Sequence, residues 1–148
     1  MIVGYYGAAF FGGAKYIKVY DYEGETFLEG IASGIPNMIR GTSESLREST
    51  PIKERVDLSL YQREGARIIR KAMPVAEKTR IEEYIKAVNW NYLSKQEYTA
   101  KCFDSLCWEV FINYNGKART VSGYHVVPDE VVGLVRLLEE LLNDGQTR

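Results

Sequence analysis

Arg63, Arg67, Arg70 and Lys71 are the side chains in this 148-residue chain best suited to holding a ligand. On a helix they are spaced four, three and one apart and share a face. Residues 63–80 carry six basic side chains against two acidic ones, a local charge of +4. Residues 129–148 carry five acids against two arginines, a local charge of −3. Guanidinium groups grip phosphate in a forked geometry, and a ring beside them stacks on a base. The rings at hand come from 11 tyrosines, against 5 Phe and 2 Trp. The expected ligand-binding set is therefore Arg63, Arg67, Arg70 and Lys71 with Tyr16, Tyr20 and Tyr22, and its ligand a nucleotide, a nucleic acid or another small anion. The plainer reading of the same residues is a solvated helix face balanced by an acidic tail, with tyrosines placed by strand preference.

Other reactive types are sparse. His125 is the single histidine. A general base needs a nucleophile and an orienting acid within reach, and no neighbour in sequence forms such a set. Asp104 precedes an apolar strand pattern, where an aspartate bonds the backbone two residues on and caps a turn. Cys102 and Cys107 are five positions apart, so on one strand they face opposite sides and cannot pair. With one histidine in the chain they are also poor zinc ligands, and reduced cytosolic thiols are expected. Gly4, Gly7, Gly12 and Gly13 match neither the dinucleotide fingerprint nor the phosphate-loop pattern. No catalytic residue, metal ligand or cofactor is expected.

Composition bounds the class. Apolar residues are 45% and charged residues 26%, an ordinary globular balance. A chain of this length buries enough surface for a core without disulfides or metal. A net charge of −1 gives no overall pull toward nucleic acid or anionic lipid. The first residues, Met1-Ile2-Val3-Gly4-Tyr5-Tyr6, lack the basic and apolar regions of a signal peptide, and no run reaches 18 apolar residues. A single cytoplasmic domain over 1–148, with no membrane segment, is expected.

The elements that must position these residues are legible in parts. Residues 1–31 read as β-structure, with a glycine-flanked turn over 7–13 and a hairpin closing on Glu23-Gly24. That turn sets Tyr22 opposite Glu25, Tyr20 opposite Phe27 and Val19 opposite Leu28. Tyr16, Tyr20, Tyr22 and Phe27 then share one face, and Ile17, Val19 and Leu28 the other. Both faces are apolar, so both should be covered. Residues 32–55 carry turn chemistry and a short helix over Ser43–Arg47, with the character of a mobile loop. Val56–Leu60 alternates as a strand. Gln62–Met73 favours helix, stopped by Pro74. Val75–Val88 is a helix with Ile81, Tyr84, Ile85 and Val88 on one side, and 93–106 is a polar connector.

The clearest unit comes last. Trp108–Tyr114 and Lys117–Gly123 flank Asn115-Gly116, the pair that a type I′ turn prefers. The register sets Tyr114 against Lys117, Ile112 against Arg119, Val110 against Val121 and Trp108 against Gly123, with Phe111 on the other face near Thr120. Pro128 opens a helix to about Leu142, its acids at the positive dipole end, with Gly145 as the cap that follows. Its wide apolar face, Val131 to Leu142, calls for a sheet beneath it. A weak echo aligns Tyr16–Glu29 with Trp108–Val121, a duplicated unit or simply two tight hairpins. The fold class is α+β: antiparallel β-hairpins forming a sheet packed by two to three helices.

The run Asp104, Trp108, Val110, Ile112, Gly116, Gly123 and Pro128 resembles a pattern in small uncharacterised proteins common in Gram-positive bacteria. The likeness spans most of the chain from Tyr5 and includes a helix ending near a tryptophan, here Trp90. Ser105 stands where that pattern has glycine, and Tyr124-His125-Val126-Val127 replaces its Asn-Ala-Tyr stretch. The resemblance supports the order of elements and implies no activity. The function expected is a non-enzymatic, protein-binding module. The alternatives are a binder of nucleotide or nucleic acid through the basic stripe and tyrosines, and an enzyme of unrecognised type. Partners are an unknown protein or a small anionic ligand, with self-association through a sheet edge or the C-terminal helix.

Overall fold

Two tight turns set the register of most of the sheet. Glu23 and Gly24 have φ of 50° and 83°, and Asn115 and Gly116 have φ of 53° and 75°. Two successive positive φ values match the right-handed twist of the strands they join, as a type I′ turn requires. The first turn joins strand β2 (Ala14–Tyr22) to β3 (Glu25–Ile31), and the second joins β5 (Cys107–Tyr114) to β6 (Lys117–Tyr124). Every cross-strand pair expected from these turns is present, including Tyr20 with Phe27, Ile112 with Arg119 and Trp108 with Gly123. The computed structural model describes residues 1–8, 14–31, 45–55, 68–98 and 107–144. Residues 9–13 of the turn expected over 7–13, the helix start at Ser43, the strand at 56–60, Asp104, Cys102 and Gly145 fall outside them, while Gly7 and Ala8 belong to a strand.

Strand β1 (Ile2–Ala8) lies between the hairpins, and β4 (Ile68–Ala72) adds an edge. The six strands run antiparallel in the order β4-β3-β2-β1-β5-β6. Tyr16 sits opposite Tyr6 of β1, while Trp108 sits opposite the next residue, Gly7. Residues that the echo aligns therefore face opposite sides of the sheet, as a half-turn about β1 would place them. The echo extends to the hairpins and not to what covers them.

One face carries the main core. Val3, Tyr5, Ile17, Val19, Leu28, Trp108, Val110, Ile112 and Val121 meet three helices there. Helix α2 (Val75–Ala87) contributes Ile81 and Ile85, α3 (Trp90–Ser94) contributes Trp90 and Leu93, and α4 (Asp129–Asn143) contributes Val131, Leu134, Leu138, Leu141 and Leu142. The sheet thus covers the apolar face of α4. Pro128 is the residue before its first turn, at φ −66° and ψ 152°, extended rather than helical. No helix among the described residues is long and apolar enough to cross a membrane.

The opposite face holds a smaller core of Tyr6, Tyr16, Ile31 and Phe111 under Leu46 and Ile52, the latter opening the short helix α1 (Ile52–Arg55). Two expectations need correction. Residues 68–72 form β4 rather than helix, because pairing Ile68–Ala72 with Phe27–Ile31 completes the sheet and overrides local helix preference. Trp90–Ser94 form a separate helix, α3, that runs into the connector expected over 93–106, since the Asn89 side chain accepts the Tyr92 amide at 3.0 Å and caps a new turn.

Candidate functional site

Strand alternation decides where the expected ligand residues go. Arg70 pairs with Glu29 and points to the smaller core's face, while Lys71 pairs with Leu28 and points to the helices. Lys71 Nζ donates to the Asp144 carbonyl at the end of α4, 3.3 Å away. Arg70 and Lys71 therefore share no face. Arg63 and Arg67 lie outside the described residues.

Arg70 does meet the tyrosines. Its Nε donates to the Tyr20 hydroxyl at 3.2 Å, and its guanidinium lies 4.0 Å from the Phe27 ring centre and 5.7 Å from that of Tyr22. Across three adjacent strands run Lys18, Glu29 and Arg70, a row of alternating charge. Lys18 and Glu29 are fully buried. Glu29 accepts the Tyr16 hydroxyl at 3.2 Å, the Tyr20 hydroxyl at 3.3 Å and the Ile52 amide at 2.9 Å. Lys18 Nζ donates to the carbonyls of Ser45, at 2.7 Å, and Glu48. It also lies 4.7 Å from the Tyr20 ring centre, within cation–π range. Burial and the Glu29 charge push the Tyr20 hydroxyl up to about 12, against the lowering pull of Arg70. A Cβ on Gly4 would stand 2.8 Å from both Leu46 and the Lys18 stem, so only glycine lets residues 45–52 settle here. Tyr16, Tyr20 and Arg70 thus belong to a buried polar row that clamps this segment to the sheet.

Open space lies elsewhere, at the Cys107–Tyr124 end of the second hairpin. A cleft of about 620 Å³ is lined by Tyr6, Tyr98, Trp108 and Tyr124, with Glu97, Cys107, Glu109 and Ser122 among its polar groups. Local structure brings two of these rings, Tyr98 and Trp108, together with their centres 5.8 Å apart. Tyr98 forms a parallel bridge to Gly123, and its carbonyl accepts the Tyr124 amide at 2.7 Å. A Cβ on Gly123 would collide with the Tyr98 carbonyl oxygen and stand 2.9 Å from Trp108 Cζ2, so glycine admits both the bridge and the indole. Trp108 is 3% exposed, and its Nε1 donates to the Val126 carbonyl at 2.9 Å. The Val126 amide in turn reaches the Tyr124 carbonyl at 2.6 Å across His125, whose φ is 62°. This strained γ-turn folds the chain away from β6. The exposed His125 side chain makes no hydrogen bond among the described residues.

The cleft's polar groups are unequal. The Glu109 carboxylate pairs with Arg47, which also stacks 5.4 Å from the Phe111 ring centre. Glu97 is exposed and has no ion pair among the described residues. Cys107 is an exposed free thiol. Tyr6 is 7% exposed, and its hydroxyl has no hydrogen-bond partner among the described residues. Burial raises the Tyr6 pKa, with Cys107 adding to it, so the hydroxyl keeps its proton as a donor. Burial likewise raises Tyr98, with Glu130 and Tyr92 adding. Tyr124, 52% exposed, stands at the rim, and Tyr92 and Val126 are further exposed apolar side chains. Among the described residues no three His, Cys, Asp or Glu side chains are grouped to hold a metal.

Sequence reasoning missed Lys18, Glu29 and every residue of the cleft as site residues. The Glu23-Gly24 register already places Lys18 opposite Glu29 on the tyrosine face, so that pair was legible. Tyr98 lies in a stretch without periodicity and offers no such signal. The chain matches no family model, no curated protein and no solved structure.

Proposed function

We propose that the chain is a non-enzymatic binding module whose aromatic cleft receives a segment of a partner protein carrying a basic and an apolar side chain. The observation that carries this reading is the cleft of about 620 Å³ lined by Tyr98, Trp108 and the exposed Tyr124, with the exposed Glu97 beside them. Tyrosine and tryptophan are the side chains on which binding energy concentrates at protein interfaces. Glu97 supplies the charge for Lys or Arg, and the ring faces add cation–π attraction. The free thiol of Cys107 fits a reducing compartment such as the cytoplasm.

Selection of a displayed random-peptide library on the wild-type chain tests this. Enriched peptides are expected to place Lys or Arg beside an apolar residue. Tyr124→Ala is expected to weaken them about 10-fold or more, near 1.4 kcal/mol, and Glu97→Lys to act in the same direction. Failure to enrich, or enriched peptides that bind Tyr124→Ala equally well, overturns the assignment.

A further inference from the structure

A second cleft, of about 330 Å³, opens at the other end of the hairpin. The α2–α3 corner provides Val88, Asn89, Trp90 and Asn91, and the hairpin tip provides Tyr114, Lys117 and Arg119. Ile85 and Ile112 add apolar surface. Its rings are held by their polar tips. Trp90 Nε1 donates to the Ile85 carbonyl at 3.1 Å, and the Tyr114 hydroxyl donates to Glu82 at 3.0 Å.

The charged side chains that line this cleft are both cations, and the nearby Glu82 carboxylate is engaged by the Tyr114 hydroxyl. Lys117 and Arg119 line it, and Lys86 Nζ lies 5.9 Å from the Tyr114 ring centre. None of the three has an ion pair among the described residues. Arg119 spends one N–H on the Ala118 carbonyl at 2.9 Å, which leaves most of its fork unused. Asn89 uses its side-chain oxygen on the Tyr92 amide, so its NH2 group remains a donor. Lys86 also sits in the last turn of α2, where it offsets the carbonyl end of that helix. The lining thus combines unspent donors and cations with two fixed rings. Exposed cations alone bind anions weakly, so the rings and aliphatic groups must supply the remainder. Ligand pockets begin near 300 Å³, and this one is at that small end.

We infer that this cleft binds a small organic anion, a carboxylate or phosphate carried on a single ring. The acid group meets Lys117, Arg119 and the Asn89 amide, and the ring lies against Trp90 and Tyr114. The site is separate from the Trp108 cleft and does not depend on its function.

The chain's two tryptophans make the test internal. Phenyl phosphate and benzoate are titrated into the wild-type chain while both indole N–H resonances are followed by NMR. The Trp90 resonance is expected to move saturably and the Trp108 resonance to stay. The double variant Lys117→Glu/Arg119→Glu is expected to bind at least about 10-fold more weakly, with an unmoved Trp108 resonance showing an intact fold. The tighter of the two probes names the acid group. Three results overturn the inference: no saturable shift with either probe, equal binding by the double variant, or neutral phenol binding as tightly as phenyl phosphate.

Discussion

Lys18 is a cation with no exposed surface, held by backbone carbonyls rather than by bulk water. Removing one member of a buried charged set leaves the others uncompensated, which costs more than the set contributes when intact. Lys18→Ala would leave the Ser45 and Glu48 carbonyls without this donor and Glu29 with Arg70 as its remaining cross-strand cation. The expected loss is roughly 3–5 kcal/mol in urea unfolding. Lys18→Met keeps most of the volume and separates charge from packing, and it too is expected to destabilise. A loss below about 1 kcal/mol for both variants would show that residues 45–52 are held without the Lys18 bonds, by Leu46, Ile52 and the contacts of Ile52 with Glu29 and Arg47 with Glu109. The same residue marks what a sequence reveals. The Glu23-Gly24 turn sets position 18 against 29, and strand alternation places both on the face of Tyr16 and Tyr20. A register-based argument reaches the pair; a search for exposed basic clusters passes over it.

Elements fixed by local chemistry were legible, and elements fixed by distant partners were not. Asn115-Gly116 and Glu23-Gly24 impose positive φ within two residues, and the cross-strand pairs follow. The stripe of α4 announces a buried face by its spacing. By contrast, Ile68–Ala72 becomes a strand because β3 offers it an edge, and nothing within 62–73 records that edge. The Trp108 cleft depends on Tyr98 reaching Gly123, a contact between a stretch without pattern and a hairpin. Gly123→Ala tests this junction, since the added methyl meets backbone that cannot rotate away. It is expected to cost roughly 1–3 kcal/mol as an overpacked site. Faster hydrogen exchange is expected at the Tyr124 amide, whose bond to the Tyr98 carbonyl would be the first lost. An unchanged Tyr124 exchange rate would mean that the α3–β6 junction is looser than its geometry.

At the scale of the molecule, both faces of one sheet are covered, and each hides a tyrosine whose ionisation the fold opposes. Burial, with Glu139 adding, pushes Tyr5 on the helix face up to about 12, and Tyr20 on the other face is raised to about the same value. An unfolded tyrosine ionises near pH 10. Between about pH 10 and 12 the folded state keeps protons that the unfolded state releases. The stability contributed by each hydroxyl is therefore complete below pH 10 and is lost as pH rises through 12. For Tyr5 a shift of this size is a loss of roughly 2–3 kcal/mol. Tyr5 isolates the effect, because its hydroxyl has no hydrogen-bond partner among the described residues, whereas Tyr20 is coupled to Glu29 and Arg70. Tyr5→Phe should unfold in urea near the wild-type midpoint at pH 8, and at pH 11.5 it should be the more stable protein. Both chains lose the Tyr20 contribution over the same range, so the variant's curve still falls, only less steeply. Parallel curves for the two proteins from pH 8 to 11.5 would mean that the Tyr5 hydroxyl reaches solvent before the sheet opens, and that the helix layer lifts away from β1 ahead of global unfolding.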